Sequence, residues 1–220
     1  IDAQNAAQAD DAESVLAGLR ALAVAQEAMR ETLLRMPERC DPYIYYSRVR
    51  PYIHGWKNSP ALPQGLMYEG VTDYDERPQQ FRGETGSQSS IVPALDAGLG
   101  VLHADDPLTQ YLVEMRDYMP PRHRAFVSAL EARTDGQQRP LLYGYVRDRK
   151  TTHPQLWKAF STCVDLLAQF RDIHVGYAER YIFRQHQSHA SNPTSVGTGG
   201  TPFMPYLNKH LAETKQLIPD

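Results

Sequence analysis

The longest helical pattern in the chain is QLWKAFSTCVDLLAQFRDIHVGYAERYIFR, from Gln155 to Arg184, which no proline interrupts. Its apolar and aromatic side chains recur every three or four residues, the spacing of one face of an α-helix. The residues on that face are Trp157, Phe160, Val164, Leu167, Phe170, His174, Tyr177 and Tyr181. The pattern therefore predicts one long helix that buries a single face against a core.

His174 is in line with this apolar face and can be interpreted in two ways. A buried histidine usually finds hydrogen-bond partners for its ring nitrogens, which would make it an ordinary core residue. A neutral imidazole at such a position is also a suitable axial ligand for haem iron. Helical spacing by itself favours the core residue and leaves the iron ligand as the alternative.

Composition and charge narrow the classes of protein. With 220 residues, 41% of them hydrophobic, the chain can bury one sizeable core, so we expect one globular domain over residues 1–220. The net charge is -3 and the 23 basic residues are dispersed among 26 acidic ones, which argues against a nucleic-acid partner. No apolar run approaches the roughly 20 residues that cross a bilayer, so we expect no membrane partner. Two isolated cysteines, Cys40 and Cys163, suit a reducing compartment and predict a cytoplasmic protein.

The rest of the chain is also predominantly helical in pattern. Period-two alternation is almost absent, and residues 55–86 contain too many glycines and prolines for long helices. Further helices are predicted at residues 11–36, 43–50, 89–101, 107–118, 121–133 and 201–217. We therefore expect an all-α protein, a multi-helix bundle.

One local pattern combines an aromatic ring with a guanidinium group. Tyr46 and Arg50 are four residues apart and share a helix face. Together they could hold an aromatic amino acid, with its ring against Tyr46 and its carboxylate bound by both arms of Arg50. The alternative is a surface arginine stacked on a tyrosine, which this spacing alone favours.

Two further patterns are rich in glycine. The segment RGETGSQSS, Arg82 to Ser90, runs into a predicted helix, where its hydroxyls and free amides could bind a carboxylate or a propionate. The alternative is an ordinary helix capped by a serine. The segment GTGGT, Gly197 to Thr201, could act as a hinge that closes over a ligand, or serve only as a flexible connector.

Taken together, these segments resemble the indoleamine 2,3-dioxygenase family, and they occur in the family's order. The matching blocks are Asp41-Pro42 to Arg50, Gly55-Trp56-Lys57, Tyr68-Glu69-Gly70, Gln88-Ser89-Ser90, Met115 to Arg124, the helix with Arg171 and His174, and Gly197 to Thr201. The resemblance covers the chain from about residue 10 to its end. It implies an all-α, haem-binding fold of the family's large-domain type.

The resemblance also implies an oxidoreductase that uses haem b. Such an enzyme inserts both atoms of O2 across the C2=C3 bond of the indole of L-tryptophan or a related indoleamine, giving N-formylkynurenine at the first step of the kynurenine route. The family's axial histidine matches His174, which turns the weaker interpretation of this residue into that of an iron ligand. Arg171 and Asp96 match a pair that helps to anchor the haem propionate region, with a plain salt bridge as the alternative.

Residues for the substrate follow from the same resemblance. The family's carboxylate-binding arginine matches Arg50, and the aromatic residue beside the indole matches Tyr45 or Tyr46. The mammalian members carry Phe-Phe where this chain has Tyr45-Tyr46, so a phenol adds a hydrogen-bonding group to a pocket that otherwise recognises shape. Thr198, flanked by Gly197 and Gly199, matches a loop that closes on the ammonium and carboxylate groups of the amino acid.

Thr85 stands where the family has a serine close to haem and substrate, with Gly86 and Ser87 beside it. A hydroxyl group is therefore kept at this position. The remaining histidines, His103 and His210 among them, lie in loops or polar contexts, which predicts solvated or structural roles for them.

The expected partners are the tryptophan-type substrate, O2 and an electron donor that keeps the iron ferrous. Family members carry an additional N-terminal portion; because residue 1 is Ile and the first methionine is Met29, we expect that portion as a separate or cleaved chain. Two alternatives remain: a related haem enzyme of secondary metabolism with different chemistry on an indole, and a non-catalytic haem-binding module. Retention of Arg50 and Thr198 argues against the module, which has no use for a substrate site.

Overall fold

A computed structural model of the chain describes residues 1–187 and 196–218. In that part, the regular elements are helical, and extended residues pair only in two isolated bridges, Leu66 with Gln79 and Thr134 with Pro140. The α-helices are α1 (Asp2–Gln8), α2 (Ala12–Leu34), α3 (Pro42–Ile44), α4 (Ile91–Leu99), α5 (Pro107–Met115), α6 (Pro121–Glu131), α7 (Leu141–Asp148), α8 (Pro154–Tyr181) and α9 (Phe203–Gln216). The predicted all-α class is confirmed.

Several helices begin where a carboxylate satisfies free backbone N–H groups. Asp11 accepts a hydrogen bond from the N–H of Ser14 at 3.1 Å at the start of α2. Asp41 accepts one from the N–H of Ile44 at 2.9 Å at the start of α3, next to Pro42. Such caps are legible in the sequence, and both helix starts lie within one residue of the predicted positions.

The predicted helix at residues 43–50 changes its winding after α3. Tyr45–Val49 forms a π-helical turn, in which the N–H of Arg50 donates to the carbonyl of Tyr45, and Arg50–Tyr52 forms a 3₁₀ turn. Pro51 supplies no N–H and its ring crowds the carbonyl four residues earlier, so a regular α-helix cannot run through it. Single π-helical turns of this kind recur at functional sites.

Internal contacts divide the chain into two compact units. Unit 1 consists of Ile1–Met36, Ser87–His174 and Leu207–Asp220, and unit 2 of Pro37–Gly86 and Val175–Tyr206. The expectation that residues 1–220 act as one catalytic domain stays a prediction.

The core of unit 1 is organised around α8. Gln26 of α2 donates from its side-chain amide to the carbonyl of Cys163 at 2.9 Å, and the Cys163 thiol donates to the carbonyl of Leu19 at 3.2 Å. The buried core side chains of α8 in this unit are Leu156, Phe160, Cys163, Val164 and Leu167. The short helices α1 and α7, of 7 and 8 residues, contribute to the same core and were not predicted, because so few residues show little periodicity.

Unit 2 contains the irregular segment predicted at residues 55–86. An aromatic cluster holds it together: the rings of Trp56, Tyr68, Tyr74 and Phe81 have neighbouring centroids 5.4 to 6.2 Å apart. The indole N–H of Trp56 also donates to the carbonyl of Gln79 at 2.8 Å. A long loop is therefore given a fixed shape by packing, with little regular backbone pairing.

None of the described helices is both long enough and apolar enough to cross a membrane.

Candidate functional site

His174 lies at the end of the unit 1 part of α8 with its side chain exposed, so the expectation of a buried core histidine is wrong. Leu167 is the last α8 side chain in the hydrophobic core cluster of unit 1, and Phe170 is already half-buried; the buried contacts of unit 1 beyond it on this helix are polar, those of Arg171. Among the described residues, neither ring nitrogen of His174 has a hydrogen-bond partner. The described residues therefore give no support to the interpretation that neighbouring groups satisfy the ring nitrogens of His174 by hydrogen bonding.

The protein around His174 and, second, the positive charge of Arg171 lower the pKa of the imidazole below its usual value. Its neutral form therefore prevails at neutral pH, with a nitrogen lone pair available to a metal.

Arg171, one turn before His174, forms a buried ion pair with Asp96 of α4. The Nη2 atom of Arg171 lies 2.7 Å from Oδ2 of Asp96, and the two residues are only 6% and 8% exposed. Arg171 also donates to the hydroxyl of Thr214 on α9. Burial raises the pKa of the Asp96 carboxyl, but the nearby charge of Arg171 and then the hydrogen bond from His103 outweigh it, so the pKa lies below its usual value. The predicted pair is brought together and is not a surface salt bridge.

His103 extends this pair into a network that the sequence did not predict. Its Nε2 atom lies 3.3 Å from Oδ2 of Asp96, and its Nδ1 atom lies 2.6 Å from Oε2 of Glu213 on α9. Burial lowers the pKa of this imidazole, but the bonds and charges of Asp96 and then of Glu213 raise it above its usual value overall. Of the two expected roles, solvated or structural, these contacts fit the structural one: His103 joins the buried carboxylate of Asp96 to the half-buried carboxylate of Glu213.

His210 of α9 lies against His103, with the two ring centroids 4.6 Å apart. Burial, followed by the charge of His103, lowers the pKa of His210 to about 4, so its ring is neutral at neutral pH. One ligand atom each from His103, His210 and Glu213 lie within 4.8 Å of one another, which makes them a group that could hold a metal ion. No local spacing signals this group, since His103 and Glu213 are 110 residues apart.

Arg50 and Tyr46 lie at the interior of unit 2, and both are 0% exposed. The guanidinium carbon of Arg50 is 5.7 Å from the centroid of the Tyr46 ring, and its Nη2 atom donates to the carbonyl of Val196 at 2.6 Å. Burial lowers the pKa of Arg50, while Tyr45 and Tyr46 act to raise it. The alternative of a surface arginine stacked on a tyrosine is wrong, although the predicted contact between the two side chains is present.

The phenol of Tyr45 takes part in a second aromatic group of unit 2. Its ring meets that of Tyr181 edge-on, with centroids 6.0 Å apart, and the Tyr181 hydroxyl donates to the carbonyl of Cys40 at 2.7 Å. Burial raises the pKa of Tyr45 and of Tyr46, an effect that the charge of Arg50 partly opposes. Both phenols therefore stay protonated at neutral pH and can donate a hydrogen bond.

The two glycine-rich segments meet within unit 2. The hydroxyl of Thr198 donates to the carbonyl of Glu84, and the N–H of Gly55 donates to the carbonyl of Thr198 at 3.3 Å. A Cβ atom at Gly83 would lie 2.3 Å from the oxygen of Thr198 and 2.3 Å from the nitrogen of Gly55, so only glycine fits there. Arg82 donates from Nη1 to the carbonyl of Gly199 at 3.0 Å. The sequence offered both segments as possible binding loops, with a capped helix and a flexible connector as the alternatives, and did not predict that they touch.

The predicted loop beside haem and substrate is placed as follows. Thr85 is half-buried and Gly86 is exposed, both in unit 2, while Ser87 is half-buried in unit 1. Gly86–Gln88 forms a 3₁₀ turn, and a Cβ atom at Gly86 would meet nothing within 4 Å. Ser89 accepts a hydrogen bond from the N–H of Ile91 at 3.3 Å, in line with the plainer interpretation of a serine at a helix start.

Each unit thus offers one kind of chemistry. Unit 1 presents the neutral imidazole of His174 after the buried Arg171–Asp96 pair. Unit 2 presents the buried guanidinium of Arg50, whose forked donors suit a carboxylate, beside phenol groups and a loop of close-packed backbone.

Comparison with known proteins gives one family. Residues 1–217 match the family described as "Indoleamine 2,3-dioxygenase". Human indoleamine 2,3-dioxygenase 2 is 32% identical over 229 residues, which covers 99% of this chain and 53% of the human protein. Rat indoleamine 2,3-dioxygenase 1 is 34% identical over 225 residues, covering 97% of this chain and 53% of the rat protein.

A relative with a different name is also similar. The myoglobin of Haliotis madaka is 31% identical over 216 residues, covering 96% of this chain and 53% of that protein. The chain spans about half the length of the curated relatives it matches.

Proposed function

This chain belongs to the indoleamine 2,3-dioxygenase family, and from that premise we propose that it is the haem-binding part of an enzyme that opens the indole ring of tryptophan or a related indoleamine with O2. The product of this reaction is N-formylkynurenine. The observation that carries the proposal is the family match over residues 1–217, which includes every residue assigned a role below. The electron donor, and a further polypeptide portion as a separate or cleaved chain, remain predictions.

We propose His174 as the axial ligand of haem b. The donor fits: the ring is neutral at neutral pH, is accessible, and has no hydrogen-bond partner among the described residues. When bound, haem supplies the iron that activates O2. Arg171 and Asp96 hold the preceding turn of α8 in a buried ion pair, so in this proposal they fix the orientation of the ligand ring. Gly86 and Ser87 are assigned to the cofactor on the family resemblance alone.

The substrate is assigned to residues of unit 2. Arg50 would bind the amino-acid carboxylate with both arms, and the ring of Tyr46 would pack against the indole. Because the guanidinium of Arg50 is already buried, its attraction to a carboxylate is weakened less by water than that of a surface arginine. The protein's main contribution would then be to position the substrate.

Loop residues complete the proposed substrate contacts. Thr198, with Gly197 and Gly199, would bind the ammonium and carboxylate groups, and the hydroxyl of Thr85 would lie near the reacting ring. Tyr45 would add a phenol where the mammalian proteins have phenylalanine. A proton donor in this place favours substrates with a polar group on the indole over the bare ring.

The ligand assignment is tested by absorption spectroscopy of the purified full chain with haem. His174→Ala should lose the Soret spectrum of a histidine-ligated haem, whereas His123→Ala, which removes an exposed histidine of α6, should keep it. Added imidazole should restore the spectrum in His174→Gly, because the free base can replace the missing side chain. An unchanged haem spectrum in both His174 variants would exclude this residue as the ligand.

The substrate assignment is tested with Arg50→Lys, which keeps the charge but loses the forked pair of donors. Loss of one charge-assisted hydrogen bond costs about 1.5–3 kcal/mol, so KM for L-tryptophan should rise by about tenfold or more. The haem spectrum should stay unchanged. Ring opening is followed as N-formylkynurenine formed per O2 consumed, with a reductant present; Arg50→Lys turnover equal to wild type would remove Arg50 from the site.

A second candidate, haem binding without chemistry, is favoured by one observation. A relative that is 31% identical over nearly the whole chain is named a myoglobin and not a dioxygenase. In that case, reduced protein would bind O2 reversibly and form no N-formylkynurenine, and L-tryptophan would leave its Soret band unchanged. Formation of N-formylkynurenine, with one O2 consumed per tryptophan, would instead support the dioxygenase.

A further inference from the structure

A second group of potential ligands lies in unit 1, apart from His174. His210 and Glu213 are three residues apart on α9, so both point from one face of that helix. His103 approaches them from the loop between α4 and α5. One nitrogen or oxygen of each side chain lies within 4.8 Å of the other two.

We propose that His103, His210 and Glu213 bind one divalent transition-metal ion, of which Zn²⁺ is the model. Two imidazoles and one carboxylate are a ligand set that suits Zn²⁺ and its neighbours in the first transition row, while Mg²⁺ and Ca²⁺ prefer oxygen ligands alone. Three protein ligands leave a further position for water. None of the three ligands is assigned to haem coordination or substrate, although Asp96, which contacts His103, also pairs with Arg171.

The hydrogen bonds of His103 and Glu213 bring one potential ligand atom of each side chain together. Nδ1 of His103 faces Oε2 of Glu213 at 2.6 Å, while Nε2 of His103 faces the carboxylate of Asp96 at 3.3 Å. A carboxylate behind the second ring nitrogen is the usual arrangement of a metal-bound histidine. The other oxygen of Glu213, Oε1, accepts the N–H of Ala104 at 3.3 Å, so Oε2 is the oxygen directed at the imidazole.

His210 supplies the third donor. Its Nε2 atom is buried and has no hydrogen-bond partner among the described residues, although its ring lies 4.6 Å from that of His103. A buried ring nitrogen without a partner is uncommon, and an ion would satisfy it. Donors on a tetrahedral Zn²⁺ are about 3.3 Å apart, so the His103–Glu213 pair must open and His210 must move closer, both by side-chain rotation.

The positively charged side chains near the proposed metal site are paired with carboxylates. Lys209 lies 3.4 Å from Oε1 of Glu213, the oxygen that His103 does not contact, and also pairs with Asp106. Arg171 is paired with Asp96. In the metal-free state that competes with metal binding, a protonated His103 bridges the carboxylates of Asp96 and Glu213. In the metal-bound state, the ion replaces the hydrogen between His103 and Glu213.

Such an ion would join the α4–α5 loop to α9 inside unit 1. The tag-free full chain is dialysed against Zn²⁺ at equilibrium, and bound zinc is measured by elemental analysis. We expect one Zn²⁺ per chain. His210→Ala and Glu213→Gln should each weaken binding at least tenfold, with circular dichroism showing that the helices are kept.

Two control variants separate this site from other histidines. His153→Ala removes a histidine next to α8, and His174→Ala removes the proposed haem ligand; both should bind Zn²⁺ as the wild type does. Zn²⁺ should also raise the Tm of the wild type and of both controls, Mg²⁺ should not, and neither ion should raise the Tm of His210→Ala. Binding well below one ion per chain, equal binding in His210→Ala and Glu213→Gln, or loss of binding in His174→Ala would each overturn the proposal.

Discussion

Replacing Asp96 with asparagine should destabilise unit 1 by about 3–5 kcal/mol, the usual effect of removing one partner of a buried ion pair. Asparagine keeps the size of the side chain but not its charge. Arg171, 6% exposed, would then keep its charge in the interior with neutral partners, the Thr214 hydroxyl and the new amide group, and His103 would lose one of its two carboxylates. Because the van der Waals contacts of the side chain change little, the loss of stability reports the contribution of the negative charge.

A surface ion pair supplies the matched control. Arg116 and Glu131 form two short bonds of 2.7 and 2.5 Å, but their side chains are 23% and 40% exposed. Glu131→Gln should therefore cost only about 0.2–1 kcal/mol. Both substitutions remove one negative charge from a carboxylate paired with an arginine. Glu131 accepts two hydrogen bonds from its arginine and Asp96 accepts one, so the larger effect expected at Asp96 comes from burial and not from the number of bonds.

The two tryptophans allow unit 1 to be followed by itself. Trp157 lies in unit 1 and Trp56 in unit 2, and the chain contains no other tryptophan. In a Trp56→Phe background, urea unfolding monitored by Trp157 fluorescence reports on the unit that contains Asp96. With a slope of about 1–3 kcal/mol per molar urea, the midpoint for Asp96→Asn should fall by about 1 M or more.

A double variant checks the cause. Arg171→Met added to Asp96→Asn removes the unpaired buried charge and should recover part of the lost stability, since an apolar replacement of a buried pair is often nearly neutral. The reasoning is refuted if Asp96→Asn shifts the midpoint no more than Glu131→Gln does, or if the double variant is less stable than the single one by the full cost of losing a core side chain.

Two further predictions concern packing. Burial raises the pKa of the Cys163 thiol to about 12, so at pH 8 almost none of this thiol is the reactive thiolate. A thiol reagent should therefore label only the half-buried Cys40 in the native protein and both cysteines in urea. Rapid labelling of two thiols in the native protein would contradict this prediction. Gly83→Ala should lower Tm by several degrees or prevent folding, because its Cβ would lie 2.3 Å from the carbonyl oxygen of Thr198. Gly86→Ala, which meets nothing within 4 Å, should leave Tm unchanged in the same thermal scan, and equal losses in the two variants would disprove the close-contact argument.

Local patterns in the sequence predicted most of the helices, because the interactions that start and stop a helix act between neighbouring residues. The Asp11 and Asp41 carboxylates cap neighbouring N–H groups, and Pro51 interrupts the helix that contains it. The periodicity of the 155–184 segment reappears as α8, Pro154–Tyr181. Where a helix is as short as α1 or α7, its existence depends on packing against the rest of unit 1, which the pattern does not contain.

Candidate residues were recognisable from the sequence, but their surroundings were not. The spacing of Tyr46 and Arg50 predicted their contact, yet not that both are fully buried. Helical phase placed His174 in line with the core face, but phase says nothing about where along a helix the core ends. Thr198 and Glu84, 114 residues apart, meet where Gly55 and Gly83 pack closely, a contact that no spacing in the sequence predicted.

By itself, the sequence determined the all-α class, the starts of the capped helices α2 and α3, and the residues able to ligate, pair or bind, because spacing and capping act within a few residues. Tertiary structure alone decided which of those groups meet. In the network from Arg171 through Asp96 and His103 to Glu213, directly bonded residues are up to 110 positions apart, so it exists only once α4, α8 and α9 are packed. The physical reason is that charge pairing and burial depend on distance in space, which no local pattern along the chain encodes.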